Sequence, residues 1–169
     1  MKAIKHLLYF SIFILCLNSY CQVDKNDPLY KTIIIKDSLL FSEGFNKCNM
    51  IPFKELIAED FEFYHDKSGI TQSKSKFISD LKNGLCSNPE NYTSNRRLIK
   101  NSTEIYPLYN NGELYGAIHN GSHTFFESNN KQAFVERSTA RFTSLWLFEN
   151  NTWLLKRILS FDHVLPEDK

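Results

Sequence analysis

The sequence predicts an α+β domain, and three observations point there. Apolar residues recur at helical spacing through roughly the first half of the chain. Beyond about residue 90 the pattern changes to long runs of strand character, separated by Asn- and Gly-containing clusters. Aromatic residues make up 14% of the chain, with 14 Phe and 8 Tyr, which is enough large apolar surface for a core with a pocket in it. Helices first and strands after is the order of a fold that lays its helices on one face of an antiparallel sheet.

The 169 residues are one domain's worth. The opening stretch is set apart from that domain. Lys2 and Lys5 are followed by the apolar run Leu7 to Leu17, too short for a bilayer span of roughly 20 residues. Ser19 and Cys21 then supply small residues two apart. We expect a secretory signal peptide over 1–21, cut after Cys21 to leave Gln22 first, and a single domain over 22–169.

Without Lys2 and Lys5, the 20 basic residues fall to 18 against 19 acidic ones, a net of about −1. No basic run or face suggests nucleic acid or a membrane surface. Cys48 and Cys86 remain. An exported chain meets conditions in which disulfides persist, and two cysteines allow one bridge or two separate thiols. A bridge would close a loop of about 39 residues, worth roughly 4 kcal/mol in the chain-entropy account.

Asp27 can cap a helix and Pro28 suits its first position. Tyr30, Ile33, Ile34, Phe41 and Phe45 fall on one side of that helix, and Gly44 and Asn46 end it. "IPFKELIAED" reads as a second, short helix, and "FEFYHD" switches to strand. "ITQSK" returns as a short strand. "SKSKFISDLKNGLC" is helical, with Gly84 as its stop. "NYTSNRRLIKNSTEIYPLY", "ELYGAIHNGSHTFFES", "FVERSTARFTSLWLFE" and "TWLLKRILSFDHV" read as long antiparallel strands.

The stretches "FNKCNMIPFKELIAEDFEFYHDKSG" and "ARFTSLWLFENNTWLLKRILSFDHV" resemble the helix, short helix and first strand, and the final Trp-containing hairpin, of the nuclear transport factor 2-like superfamily. The resemblance covers roughly residues 27–165 and is nearest to the SnoaL-like branch of unknown function in secreted bacterial proteins. It implies a cone, a curved antiparallel sheet wrapped around the N-terminal helices with a pocket inside. The superfamily holds isomerases, dehydratases, polyketide cyclases, ligand-binding modules and interaction proteins, so fold alone does not give function.

Strand alternation sorts the candidate site residues. In "FEFYHD", His65 shares a face with Phe61 and Phe63, while Asp66 shares the other with Glu62 and Tyr64. Adjacent His and Asp on a regular strand therefore cannot pair, and neither can Asp162 and His163. A dyad must form between strands, as His65 with Asp162 or as Asp66 with His163. A carboxylate that fixes an imidazole tautomer makes a plausible general base; the bland reading is a polar network tying the first and last strands.

His119 and His123 share a face of one strand. They stand about 13 Å apart along it, too far to ligate one ion at about 2 Å each, so no metal is expected. Arg97 and Arg141 lie on mainly apolar strands and are paired or await an anion. Trp153 reads as core and Trp146 as a candidate wall.

The leading expectation is a secreted or periplasmic domain that holds a small, partly apolar molecule and catalyses no defined reaction. Its pocket draws on His65, Tyr64, Arg97, His119, His123, Arg141, Trp146, Asp162 and His163. One alternative is a lyase or isomerase with His65 as base, held by Asp162. Another is a homodimeric interaction module using the open sheet face. No cofactor, nucleic acid or, once the leader is gone, membrane is implied.

Overall fold

The computed structural model describes residues 22–168; the expected signal peptide lies outside them. Three helices come early. α1 (Pro28–Ser38) is capped by Asp27, whose Oδ1 accepts from the Leu29 amide at 2.7 Å, and Pro28 occupies its first turn. The helix runs on to its cap at Asn46, as the sequence suggests, but not as a regular α-helix. It widens into a π-helical turn over Leu39–Phe45, marked by the Asn46 amide donating back to the Phe41 carbonyl at 2.8 Å. α2 (Ile51–Leu56) starts with Pro52 in its first turn and runs straight into β1 (Ile57–His65). β2 (Gly69–Gln72) returns beside β1. α3 (Lys74–Asn83) is capped by Ser73 and ends at Gly84.

The stretch read as one strand before residue 110 is two, β3 (Tyr92–Leu98) and β4 (Glu104–Asn110). The chain turns between them with Asn101 at φ 64°, a conformation that Asn tolerates. Three long strands follow: β5 (Glu113–Asn129), β6 (Val135–Glu149) and β7 (Thr152–Val164).

The sheet order is β2-β1-β7-β6-β5-β3, with β4 also paired to β5. β3 takes one half of the long β5 and β4 the other. The pairings are antiparallel with one exception: β1 runs parallel to β7, so His65 lies opposite Ser160. This parallel pair is why the two histidine- and aspartate-bearing stretches, 65–66 and 160–163, meet at one end of the sheet.

One face of the curved sheet covers the helices. Ile33, Leu40, Phe53, Phe61, Ile105, Ala117, Trp146 and Leu155 form a core in which each is almost fully shielded. Burying a side chain of Leu or Phe size is worth about 1.5–3 kcal/mol, so this cluster is the main source of stability. Asn46 fastens the helical hairpin to β3 by holding both the amide and the carbonyl of Arg96, at 2.8 and 3.1 Å. A Cys48–Cys86 disulfide joins the same hairpin to the end of α3, with Cα atoms 5.6 Å apart.

Candidate functional site

Between the helices and the sheet lies a cavity of about 100 Å³. Phe41 and Phe45 of the π-helical turn, Phe63 of β1, and Phe125 and Phe142 of β5 and β6 give it an aromatic wall; Arg96, His65, His123, Ser144 and Ser160 also stand on the lining, whose surface is almost wholly apolar. Phe45, Phe63, His65, Leu81 and Phe125 also line a wider depression of about 660 Å³, rimmed by Lys67, Tyr92, Glu127 and His163.

Arg96 organises the inner end. It is 4% exposed and reaches across from β3 to the helix. One terminal nitrogen (Nη1) meets Asp37 Oδ2 of α1 at 2.8 Å, and Nε meets His123 Nδ1 at 2.8 Å. Its guanidinium lies 3.8 Å from the Phe41 ring centroid and 4.8 Å from that of Phe142, the arrangement in which a ring face attracts a cation.

A guanidinium can only donate, so His123 Nδ1 must be the acceptor and its proton sits on Nε2. Burial, reinforced by the Arg96 charge, pushes the His123 pKa down to about 2, so the ring is neutral. Its Nε2 is buried and has no partner among the described residues. His119, fully buried, presents an edge to the Phe142 ring at 4.8 Å between centroids. Burial lowers its pKa to about 4 despite Asp37 nearby.

The outer end is built from the first and last strands. His163 Nδ1 lies 2.5 Å from Asp66 Oδ1, and the His163 amide donates to Asp66 Oδ2 at 3.2 Å. Burial alone would raise the Asp66 carboxyl, but the amide and ring of His163 outweigh it and hold the pKa below the ordinary carboxylate range. His163 Nε2 faces Ser160 Oγ at 3.5 Å. On a regular strand, residues three apart point to opposite faces. Here Asp162 takes φ 61° and the β6–β7 register slips between Thr139 and Arg141. This bulge turns His163 back toward Ser160.

His65 stacks on His163 with centroids 4.2 Å apart and planes 18° apart. Its Nδ1 accepts from the Lys67 and Ser68 amides at 3.1 and 3.3 Å. Burial, then the neighbouring His163, lowers its pKa. His65, Asp66 and His163 bring potential ligand atoms within 4.8 Å of one another. An imidazole lone pair lies in the ring plane, however, so two stacked rings do not aim at a common ion.

Of the two interstrand dyads foreseen, the one formed is Asp66 with His163. Asp162 is exposed and shapes the backbone. His65, His123 and His163 stand around the cavity and its mouth. His119 and Trp146 are sealed behind it in the core. Tyr64, Arg97 and Arg141 are exposed on the sheet's other face. Tyr64 bonds Glu62 at 2.7 Å, Arg97 lies over Phe126 and Arg141 over Phe161. Asp37, Arg96 and Ser160 were not among the expected site residues. Parity alone separates Arg96 from Arg97, and nothing in the sequence fixes which parity faces inward.

No protein-family model matches the chain, and no curated protein sequence does either. Solved structures do. ActVI-ORFA from Streptomyces coelicolor superposes with a TM-score of 0.66 at 11% identity, over 81% of this chain and 98% of that one. A putative calcium/calmodulin-dependent protein kinase II association domain from Xanthomonas campestris gives 0.62 at 14% identity, over 85% and 96%. A nuclear transport factor 2-like superfamily protein from Salmonella enterica gives 0.61 at 13%, over 80% and 89%. At these identities the likeness is one of fold. With helices packed in a curved, unclosed seven-strand sheet, the chain has the nuclear transport factor 2-like fold.

Proposed function

We propose that the chain binds a small, mainly apolar molecule inside the cone, one that carries a hydrogen-bond acceptor. The observation that carries this reading is His123, a neutral ring on the wall of an aromatic cavity whose Nε2–H is buried without a partner among the described residues. Leaving a buried donor unpaired costs about 1–3 kcal/mol, and a ligand acceptor would recover it. An apolar pocket with a few fixed polar groups is the usual form of a small-molecule site. The neutral His123 donates and does not titrate near neutrality, so it serves recognition and not proton transfer. The Cys48–Cys86 bridge favours an oxidising compartment, in keeping with export. Sequencing the secreted product from its N-terminus checks this: Gln22 should be first, and a retained Met1 would refute it.

Calorimetric titration with acetophenone and with ethylbenzene tests the binding reading. The two share a shape and differ in the carbonyl acceptor. Acetophenone should bind about tenfold more tightly, the worth of one net hydrogen bond. Equal affinities would remove the role of His123, and no binding by either would remove the site.

A further inference from the structure

At the mouth of the same cavity, Asp66, His163 and Ser160 stand in a line that binding alone does not use. A carboxylate can only accept, so the 2.5 Å contact places the His163 proton on Nδ1. Nε2 is then a bare acceptor, and it faces the Ser160 hydroxyl at 3.5 Å. Ser160 lines the cavity that His123 also lines. Ser160 and His123 thus share the wall of the inner cavity, while His163, in contact with Ser160, stands on the wider depression outside it with Asp66 behind. A nucleophile–base distance somewhat beyond hydrogen-bond range is common before substrate binds.

The backbone supports the same arrangement. The left-handed Asp162 breaks the alternation of β7 and puts His163 on the side of Ser160. The parallel pairing sets His65 opposite Ser160, so Asp66 follows within reach, its amide bonded to the Ser160 carbonyl at 3.1 Å. Strained backbone of this kind collects at functional sites.

We infer that Ser160 is a nucleophile activated by His163 and Asp66, and that the cone cleaves small apolar carboxylic esters. This rests on the cavity being the binding site. Ser160 Oγ attacks the ester carbonyl while its proton passes to His163 Nε2, and the carbonyl oxygen takes up the negative charge. The Nε2–H of His123 is the donor available to that oxyanion. The carbon–alkoxy bond then breaks, His163 returns the proton to the leaving alcohol, and the acyl group remains on Ser160. Water, deprotonated by His163, attacks the acyl-enzyme, and the carboxylic acid and free Ser160 are regenerated. No oxidant, reductant or metal enters the balance.

The test uses the intact secreted chain and phenylmethanesulfonyl fluoride, which loses fluoride as its sulfur bonds a reactive serine oxygen. Peptide mass spectrometry should find the adduct on Ser160. Ser160→Ala should abolish it, and Asp66→Asn should slow both labelling and p-nitrophenyl acetate hydrolysis by ~100-fold or more, with melting temperature recorded for each. Phenylmethanesulfonamide, the unreactive counterpart, is titrated in parallel by calorimetry. If it binds and no adduct forms on Ser160, or the adduct lies elsewhere, the nucleophile is refuted while the binding site stands. If neither binding nor adduct is seen, both readings fall.

Discussion

Arg96 plays three roles at once, and each depends on the others. Its charge neutralises Asp37, its Nε sets the tautomer of His123, and its plane fills the space between Phe41 and Phe142. Removing one member of a buried ion pair leaves the other uncompensated, at about 3–5 kcal/mol. Arg96→Leu should therefore lower the melting temperature by roughly 10 °C, given about 2–4 °C per kcal/mol at this chain length. The double variant with Asp37→Leu should lose less than Arg96→Leu alone. A scan of both proteins checks this, and equal losses would place the effect in packing.

The buried histidines add a pH dependence of known sign. His119 and His123 have folded pKa values of about 4 and about 2, below the ordinary value of 6.5 for an unfolded chain. The unfolded state therefore binds more protons in acid, and stability falls as pH drops. The contribution is complete above about pH 6.5 and declines toward pH 4 by about 1.4 kcal/mol per pH unit for each ring. Urea melts at pH 7 and pH 5 should show the loss; a flat profile across that window would mean the rings are not buried neutral.

At the scale of elements, two positions decide the geometry of the cavity, one at its mouth and one at its inner end. Asp162 holds φ 61°, which glycine adopts freely and a β-branched residue resists. Asp162→Gly should keep the Ser160–His163 contact. Asp162→Val should cost about 1–2 kcal/mol and release His163, visible as a changed imidazole resonance. Gly121 lies opposite Phe142 in the sheet, and an added Cβ would stand 2.8 Å from that ring. Gly121→Ala should push Phe142 toward the cavity and weaken ligand binding more than it weakens the fold.

These two positions also mark what the sequence could and could not convey. Asp27, Pro28, Pro52 and Gly84 announce their helix ends locally, because caps and ring constraints act within a few residues. The Trp-bearing hairpin and the cone followed from strand pattern and resemblance. The parallel β1–β7 pairing depends on contacts across about a hundred residues and the bulge at Asp162 on the register with β6, and alternation read along one strand cannot see either. Hence alternation offers His65–Asp162 as readily as Asp66–His163, and it puts Arg97 and Arg141 toward the pocket where the structure has Arg96. Nothing in the helical pattern marks Asp37 as the buried partner of a strand residue.

For the molecule as a whole, the helical hairpin closes one side of the cone, packed on the core and pinned at its far end by two local ties. Asn46 binds β3, and Cys48–Cys86 ties the hairpin to α3. Reducing that bridge frees a long loop in the unfolded chain and should cost about 4 kcal/mol. The denaturation midpoint in urea should fall accordingly with dithiothreitol, and ligand affinity should fall with it, since Phe45 walls the cavity just before Cys48. An unchanged midpoint would mean the bridge does not form in solution.

The most direct measurement is a long-range nitrogen–proton spectrum of the histidine rings, taken without ligand and with acetophenone. Expected is a neutral His123 protonated at Nε2 from pH 8 to pH 5, whose Nε2–H signal moves when acetophenone is added and stays when ethylbenzene is added. A His123 proton on Nδ1, or an Nε2–H signal indifferent to acetophenone at saturating concentration, would contradict the central claim that this buried donor receives the ligand.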